Sequence, residues 1–73
     1  MKNLKESLSE KDYKDFAGKP VYCSDEDVYG IIKYETIGRW ANIPFLVGVF
    51  HQNGGAVNFE YNIFERNLKC YKI

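Results

Sequence analysis

The stretch that decides the fold covers residues 45–63 and reads FLVGVFHQNGGAVNFEYNI. Its centre, Gln52-Asn53-Gly54-Gly55, is typical of a hairpin, because Asn and Gly readily take the positive φ angles that a tight turn needs. β-branched and aromatic residues stand on both sides of the turn, as in strands. We therefore expect strands over 45–51 and 56–63, with a positive φ at Gly55.

The two predicted strands differ in their patterns. Residues 56–63 alternate, with Asn58, Glu60 and Asn62 on one face and an apolar set on the other. Residues 45–50 are apolar on both faces, so the face that turns away from the core needs a cover, either the N-terminal helix or a partner. The alternation predicts four core residues: Val57, Phe59, Tyr61 and Ile63.

Three further segments are β-like and short. Residues 21–23, 28–37 and 68–73 predict the first, second and last strands, and Gly30 indicates a bulge or a bend in the second. Residues 64–67 predict a turn with one 3₁₀ turn. Five short antiparallel strands predict a small barrel or rolled sheet. The alternative is an open sheet of four or five strands with the helix across one face.

A short helix is expected before the strands, over about residues 9–17. Ser9 is a suitable N-cap and Asp12 can complete a capping box. Gly18 suits the left-handed position after the helix, and Pro20 forbids its continuation. Residues 1–8 are interpreted as a flexible lead-in, so 9–73 forms a single small domain.

The order of these elements resembles the SH3-like small barrels: a long bent second strand, a central hairpin, a 3₁₀-like link and a final strand beside the first. The resemblance covers about residues 19–73 and concerns the architecture alone. It implies a mostly β chain, with a minor α part, folded as a five-stranded antiparallel SH3-like small barrel with one short N-terminal helix. The binding signature of eukaryotic SH3 domains is not matched, so binding of proline-rich peptides is not implied.

Composition limits the class of function. The chain has 73 residues, and its ten Lys and Arg balance its ten Asp and Glu. One small domain fits this length. A zero net charge argues against a general nucleic-acid or membrane-surface binder, which needs an excess of positive charge. Residues 1–6 show no signal peptide, and the apolar stretch 43–50 is too short to span a membrane, so a cytoplasmic location is expected.

The sequence predicts no enzyme, no metal site and no cofactor. His51 is the single histidine, and Cys23 and Cys70 lack the paired spacing of zinc ligands. In the cytoplasm both cysteines are expected to be reduced thiols. They become neighbours if the first and last strands pair, and a disulfide is then an alternative under oxidising conditions.

The function that we expect is protein binding, because so many aromatic residues cannot all be buried in so short a chain. Trp, Tyr and Arg are enriched at binding hot spots. A larger protein is the expected partner, and a homodimer is implied if the helix leaves a strand face uncovered. One version is a phage- or mobile-element-encoded inhibitor of a host enzyme or defence complex, which would make it an anti-defence protein. The candidate partner-binding residues are Tyr29, Tyr34, Arg39 and Trp40, with Asp25, Glu26 and Asp27 as an acidic second patch.

The alternative is a small barrel that binds RNA or DNA through its last strand, where basic and aromatic residues are interleaved. An edge strand protected by lysines is the structural explanation of the same pattern. The candidate residues for nucleic-acid binding are Arg66, Lys69, Tyr71 and Lys72.

Overall fold

A computed structural model describes residues 7–73 of the chain. Within this range the chain is mostly β, with five strands and two one-turn helices. The prediction of a mostly β chain with five antiparallel strands is therefore confirmed. The elements are α1 (Asp12–Asp15), β1 (Pro20–Cys23), β2 (Val28–Lys33), β3 (Phe45–Gln52), β4 (Gly55–Asn62), α2 (Ile63–Arg66) and β5 (Cys70–Lys72).

The five strands form one sheet in the order β4-β3-β2-β1-β5, and every neighbouring pair is antiparallel. The pairing of β1 with β5 confirms that the final strand lies beside the first, and it places Cys23 directly opposite Cys70. Strands β4 and β5 stand at opposite ends of the sheet. The sheet is thus open.

The central hairpin forms at the predicted place. Gln52 pairs with Gly55, and the two residues between them, Asn53 and Gly54, have φ angles of 52° and 79°. Positive φ at both central residues is typical of a type I′ turn. Our expectation of a positive φ at Gly55 was wrong, because that residue already belongs to β4 and pairs in the ladder.

The core lies on one face of the sheet. Register partners share a face, so Ile32 of β2 and Leu46 of β3 point the same way, and both are fully buried. Phe59 and Ile63 are buried as predicted, but Val57 is 40% exposed, since it lies near the free end of the hairpin. The buried hydrophobic residues are Leu8, Tyr13, Val21, Cys23, Ile32, Leu46, Phe59, Ile63, Leu68 and Cys70.

Helix α1 is shorter than the predicted segment 9–17. The Asp12 carboxylate accepts hydrogen bonds from the backbone N–H and the hydroxyl of Ser9, both at 2.8 Å. One half of the predicted capping box is therefore present. The other half was wrong: the helix begins at Asp12 with Lys11, not Ser9, as its N-cap, and the Ser9 hydroxyl donates to Asp12 instead of accepting from the backbone. Gly18 has the expected positive φ, at 81°.

The second strand ends earlier than predicted. β2 stops at Lys33, and residues 34–44 form a loop in which the Asn42 N–H donates to the Glu35 carbonyl at 2.7 Å. Gly38 and Asn42 have positive φ angles, which an extended strand does not allow. A Cβ on Gly30 would lie 2.7 Å from the Val47 carbonyl oxygen, so β2 and β3 approach closely there.

The expected lead-in of residues 1–8 falls mostly outside the described residues, which begin at Ser7. Leu8 is buried in the core, and its N–H donates to the Cys70 carbonyl at 2.8 Å. Tyr13 of α1 is buried in the same cluster. The segment before β1 therefore packs over the β1–β5 part of the sheet.

Candidate functional site

Trp40 lies in the loop between β2 and β3 and is 53% exposed. Its ring meets the ring of Phe45 edge to face, with centroids 5.9 Å apart and planes at 89°. The guanidinium carbon of Arg39 lies 5.9 Å from the Trp40 centroid. Edge-to-face aromatic pairs are attractive, because the positive ring edge meets the negative ring face. The indole is thus supported on one side and open to solvent on the other.

Beside this ring lies a cavity of about 510 Å³, which we call the Trp40 groove. Its walls come from the end of β2, the following loop, the start of β3, the end of β4 and α2. These segments meet because antiparallel register aligns Lys33 with Phe45 and Phe45 with Asn62. The groove is lined by Lys33, Glu35, Trp40, Ile43, Phe45, Glu60, Asn62, Glu65 and Arg66.

The cations of the groove already have partners. Lys33 Nζ lies 2.9 Å from Glu60 Oε2, and this contact raises the pKa of the lysine amine. Arg66 lies 3.5 Å from Glu26 and 4.4 Å over the Tyr61 ring. Within residues 7–73, the Glu35 carboxylate makes no hydrogen bond or ion pair. The same is true of the Glu65 side chain.

The arrangement offers two kinds of contact to a ligand. Trp40, Phe45 and Ile43 present apolar surface, and the lining also includes the carboxylates of Glu35 and Glu65, which make no hydrogen bond or ion pair within residues 7–73. Such a site can take an apolar or aromatic side chain and hold a positive or hydrogen-bond-donating group at its edge.

The structure separates the two predicted tyrosines from Trp40. Tyr34 is half-buried, packs against the core, and its hydroxyl donates to Asn42 Oδ1 at 3.3 Å, which ties the loop to itself. Tyr29 is 58% exposed on the outer face of the sheet, with its ring 4.9 Å from that of Tyr22. Neither lines the Trp40 groove. Of the predicted aromatic and arginine residues, the structure brings together only Arg39 and Trp40.

Each carboxylate of the predicted acidic patch contacts a different element. Asp25 accepts a hydrogen bond from the Lys69 backbone N–H at 2.7 Å. Glu26 faces Arg66 of α2, as described above. Asp27 accepts from the Tyr22 hydroxyl at 2.7 Å, and this hydrogen bond raises the pKa of Tyr22 to about 12. The three residues are exposed, yet they also fasten the β1–β2 turn to its neighbours.

The residues of the alternative nucleic-acid surface are dispersed. Tyr71 is the register partner of Tyr22 on the outer face, whereas Lys72 is the partner of Val21 on the core face. Lys72 Nζ lies 5.5 Å over the ring of Phe16. Because successive side chains of a strand point to opposite faces, Tyr71 and Lys72 cannot present one continuous surface.

The histidine and the two cysteines, which could act as nucleophiles or metal ligands, lie apart. His51 is exposed on the hairpin, whereas Cys23 and Cys70 are fully buried in the core. Burial, together with the neighbouring Cys23, raises the pKa of the Cys70 thiol to about 12, so this sulfur is held as a thiol. Among residues 7–73, no group of three or more His, Cys, Asp and Glu side chains is placed to hold a metal ion.

Most of the groove was not predicted from the sequence. Lys33 and Glu60 are 27 residues apart, and only the strand order shows that they meet. The alternation of β4 did place Glu60 and Asn62 on one face. Together with the pairing of β3 with β2, that alternation indicates that Glu60 and Asn62 share a surface with Lys33, next to the loop that carries Trp40.

Comparison with known proteins finds no relative of this chain. No family model, no curated protein and no solved structure matches the chain. In the described part of the chain, neither helix has the length and apolar character needed to cross a membrane.

Proposed function

We propose that the chain is a cytoplasmic, non-enzymatic protein-binding module that contacts a larger protein through the Trp40 groove. The observation that carries the proposal is the indole of Trp40, which is supported edge to face by Phe45 and remains half exposed beside a cavity of about 510 Å³.

This geometry supports binding for an energetic reason. Large aromatic side chains that are already ordered lose little conformational entropy when a partner covers them. Trp and Arg are also the residue types that most often dominate binding energy, and Arg39 lies next to the indole. The apolar floor of Ile43 and Phe45 then supplies area that a partner can bury.

The proposal also covers the topology of the fold and the way in which the protein acts. The strand order β4-β3-β2-β1-β5, with α2 between β4 and β5, supports the SH3-like order of strands, here in a sheet that stays open between β4 and β5. The protein acts by occupying a surface of its target, as an inhibitor encoded by a phage or mobile element would. The small size of the domain and the groove beside Trp40 support it.

The experiment is affinity capture from lysate with three tagged chains: wild type, Trp40→Ala and Ile37→Ala. Ile37 is the matched control, because it lies in the same loop, is 81% exposed and does not line the groove. Each capture is run with and without nuclease, at low and at high salt. Circular dichroism checks that the three chains are equally folded.

The proposal predicts a discrete protein that survives nuclease and high salt and is captured by wild type and Ile37→Ala, but not by Trp40→Ala. Equal capture by all three chains would exclude the groove. Material that disappears after nuclease or at high salt would instead support nucleic-acid binding, which weakens steeply with salt. The residues to change next would then be Arg66, Lys69, Tyr71 and Lys72.

A further inference from the structure

Among the residues that the structure describes, strand β4 ends the sheet with an unpaired edge. The two-residue turn makes Gln52 and Gly55 a hydrogen-bonded pair, and such pairs recur at every second residue of an antiparallel ladder. Val57 and Phe59 therefore direct their backbone N–H and C=O groups towards β3. Ala56, Asn58 and Glu60 direct theirs outward, and no backbone hydrogen bond within residues 7–73 joins them to another segment.

The opposite end of the sheet is different. β5 has three residues, and on its outer side the Leu8 N–H donates to the Cys70 carbonyl at 2.8 Å. Within residues 7–73, the chain thus contacts one edge of the sheet and leaves the other open. β4, with eight residues, is long enough to act as a template for another strand.

The open edge also lacks the usual protection against pairing. Edge strands are commonly guarded by lysine, proline or inward-pointing charges. β4 has no Lys, Arg or Pro, and its single charge, Glu60, is paired with Lys33 at 2.9 Å. Val57, at 40% exposure, presents apolar surface along the same edge.

We propose that two copies of this chain pair antiparallel through their β4 edges, with Asn58 of one copy opposite Asn58 of the other. The outward N–H and C=O groups of Ala56, Asn58 and Glu60 then make about six hydrogen bonds between the copies. A two-fold axis passes between the two Asn58 residues, and the open β4 edges of both copies are paired in the dimer. The ends of the joined sheet are the two β5 strands, so assembly stops at the dimer.

Charge and packing select this register. Opposite partners must share a face, so Glu60 meets Ala56 of the second copy, and no like charges face each other. On the core face, Val57 meets Phe59 of the second copy, and an aromatic and β-branched pair is favourable. A register centred on Glu60 would place two carboxylates opposite each other, which is destabilising. A register centred on Phe59 pairs Asn58 with Glu60, and it makes only about four hydrogen bonds between the copies unless Asn62, the last residue of β4, pairs as well.

The test is sedimentation equilibrium of the full chain over a concentration series, with Asn58→Pro and Asn58→Ala as the variants. Proline removes the outward N–H of residue 58 without removing a hydrogen bond to β3, whereas alanine keeps that N–H. We expect wild type and Asn58→Ala to approach twice the 8.5 kDa chain mass. Asn58→Pro should stay at the mass of one chain, with an unchanged circular dichroism spectrum.

Hydrogen exchange of the wild type gives a second measurement. Because no residue is substituted, its result cannot arise from misfolding of a variant. The amides of Ala56, Asn58 and Glu60 should exchange more slowly as the protein concentration rises. The amides of Val57 and Phe59, which bond to β3, should be slow at every concentration. A chain that stays at 8.5 kDa with fast exchange at residues 56, 58 and 60 would overturn the proposal. A dimer that persists in folded Asn58→Pro would overturn it as well.

Discussion

Trp40 lies edge to face against Phe45, with ring centroids 5.9 Å apart and planes at 89°. This contact joins the loop of residues 34–44 to the first residue of β3, so the position of the indole is set before any partner arrives. A half-exposed ring held in this way contributes little to the core and presents an ordered aromatic surface to solvent.

The first prediction concerns Trp40→Ala. We expect the affinity for the captured partner to fall about 30-fold, the effect of removing a hot-spot side chain worth about 2 kcal/mol. The unfolding free energy should fall by about 1 kcal/mol, because the indole loses its edge-to-face contact but is half exposed. Titration calorimetry and chemical denaturation measure the two quantities. A similar loss of affinity in Ile37→Ala would show that the effect is not specific to the groove.

The second prediction compares two strand glycines. A Cβ at Gly30 would meet the Val47 carbonyl oxygen at 2.7 Å, whereas a Cβ at Gly55 would have its nearest neighbour at 3.7 Å. Neither has a positive φ, so backbone conformation does not distinguish them. Gly30→Ala should lower the unfolding free energy by about 1–3 kcal/mol through overpacking. Gly55→Ala should be neutral or slightly stabilising in the same urea denaturation, and equal losses would contradict the close approach of β2 and β3.

The third prediction concerns the thiols. Cys23 and Cys70 are fully buried, so neither should react with a thiol reagent at pH 8 until the chain is unfolded. The pKa of Cys70 is raised from 9.0 to about 12 in the folded state. A raised folded pKa stabilises the fold below the unfolded pKa, and that contribution is lost as the pH rises from about 9 towards 12. The thermal midpoint of wild type should therefore fall over this range.

The control for the thiol prediction is Cys70→Ala. Its midpoint should fall less steeply above pH 9, although the variant is less stable throughout because a buried side chain is shortened. Rapid reaction of both thiols in the folded protein would contradict their placement in the core.

The fourth prediction separates the acidic residues of the β1–β2 turn. Asp25→Ala leaves the Lys69 N–H without its acceptor and should cost about 1–2 kcal/mol of stability. Glu26→Ala removes an exposed ion pair at 3.5 Å and should cost less than about 0.5 kcal/mol. Urea denaturation of the two variants checks the order. The reverse order would mean that Glu26, and not Asp25, fastens the turn.

Local signals in the sequence predicted the elements that depend on local chemistry. Asn53-Gly54 placed the turn, and alternation placed Phe59 in the core. The end of β2 was not predicted, because residues 34–37 have strand-forming side chains and the loop is set by the Asn42 to Glu35 hydrogen bond. The exposure of Val57 likewise depends on how far the hairpin extends beyond its neighbours.

The candidate site was predicted in part. Trp40 and Arg39 were recognisable by residue type alone, and they do lie together. Their neighbours Lys33 and Glu60 come from strands on either side of β3, so only the register joins them. The sequence predicts the acidic turn as a second, charged binding patch, whereas its carboxylates also hold the turn in place, which no spacing in the sequence reveals.

The most direct measurement of the central claim uses the fluorescence of Trp40, which is the single tryptophan of the chain, after the emission of the partner alone is subtracted. The captured partner is titrated into the protein, and the emission and its quenching by iodide are recorded. If the groove binds the partner, the emission moves to shorter wavelength and the quenching falls as the indole is covered. An unchanged emission and unchanged quenching at saturating partner would contradict the account.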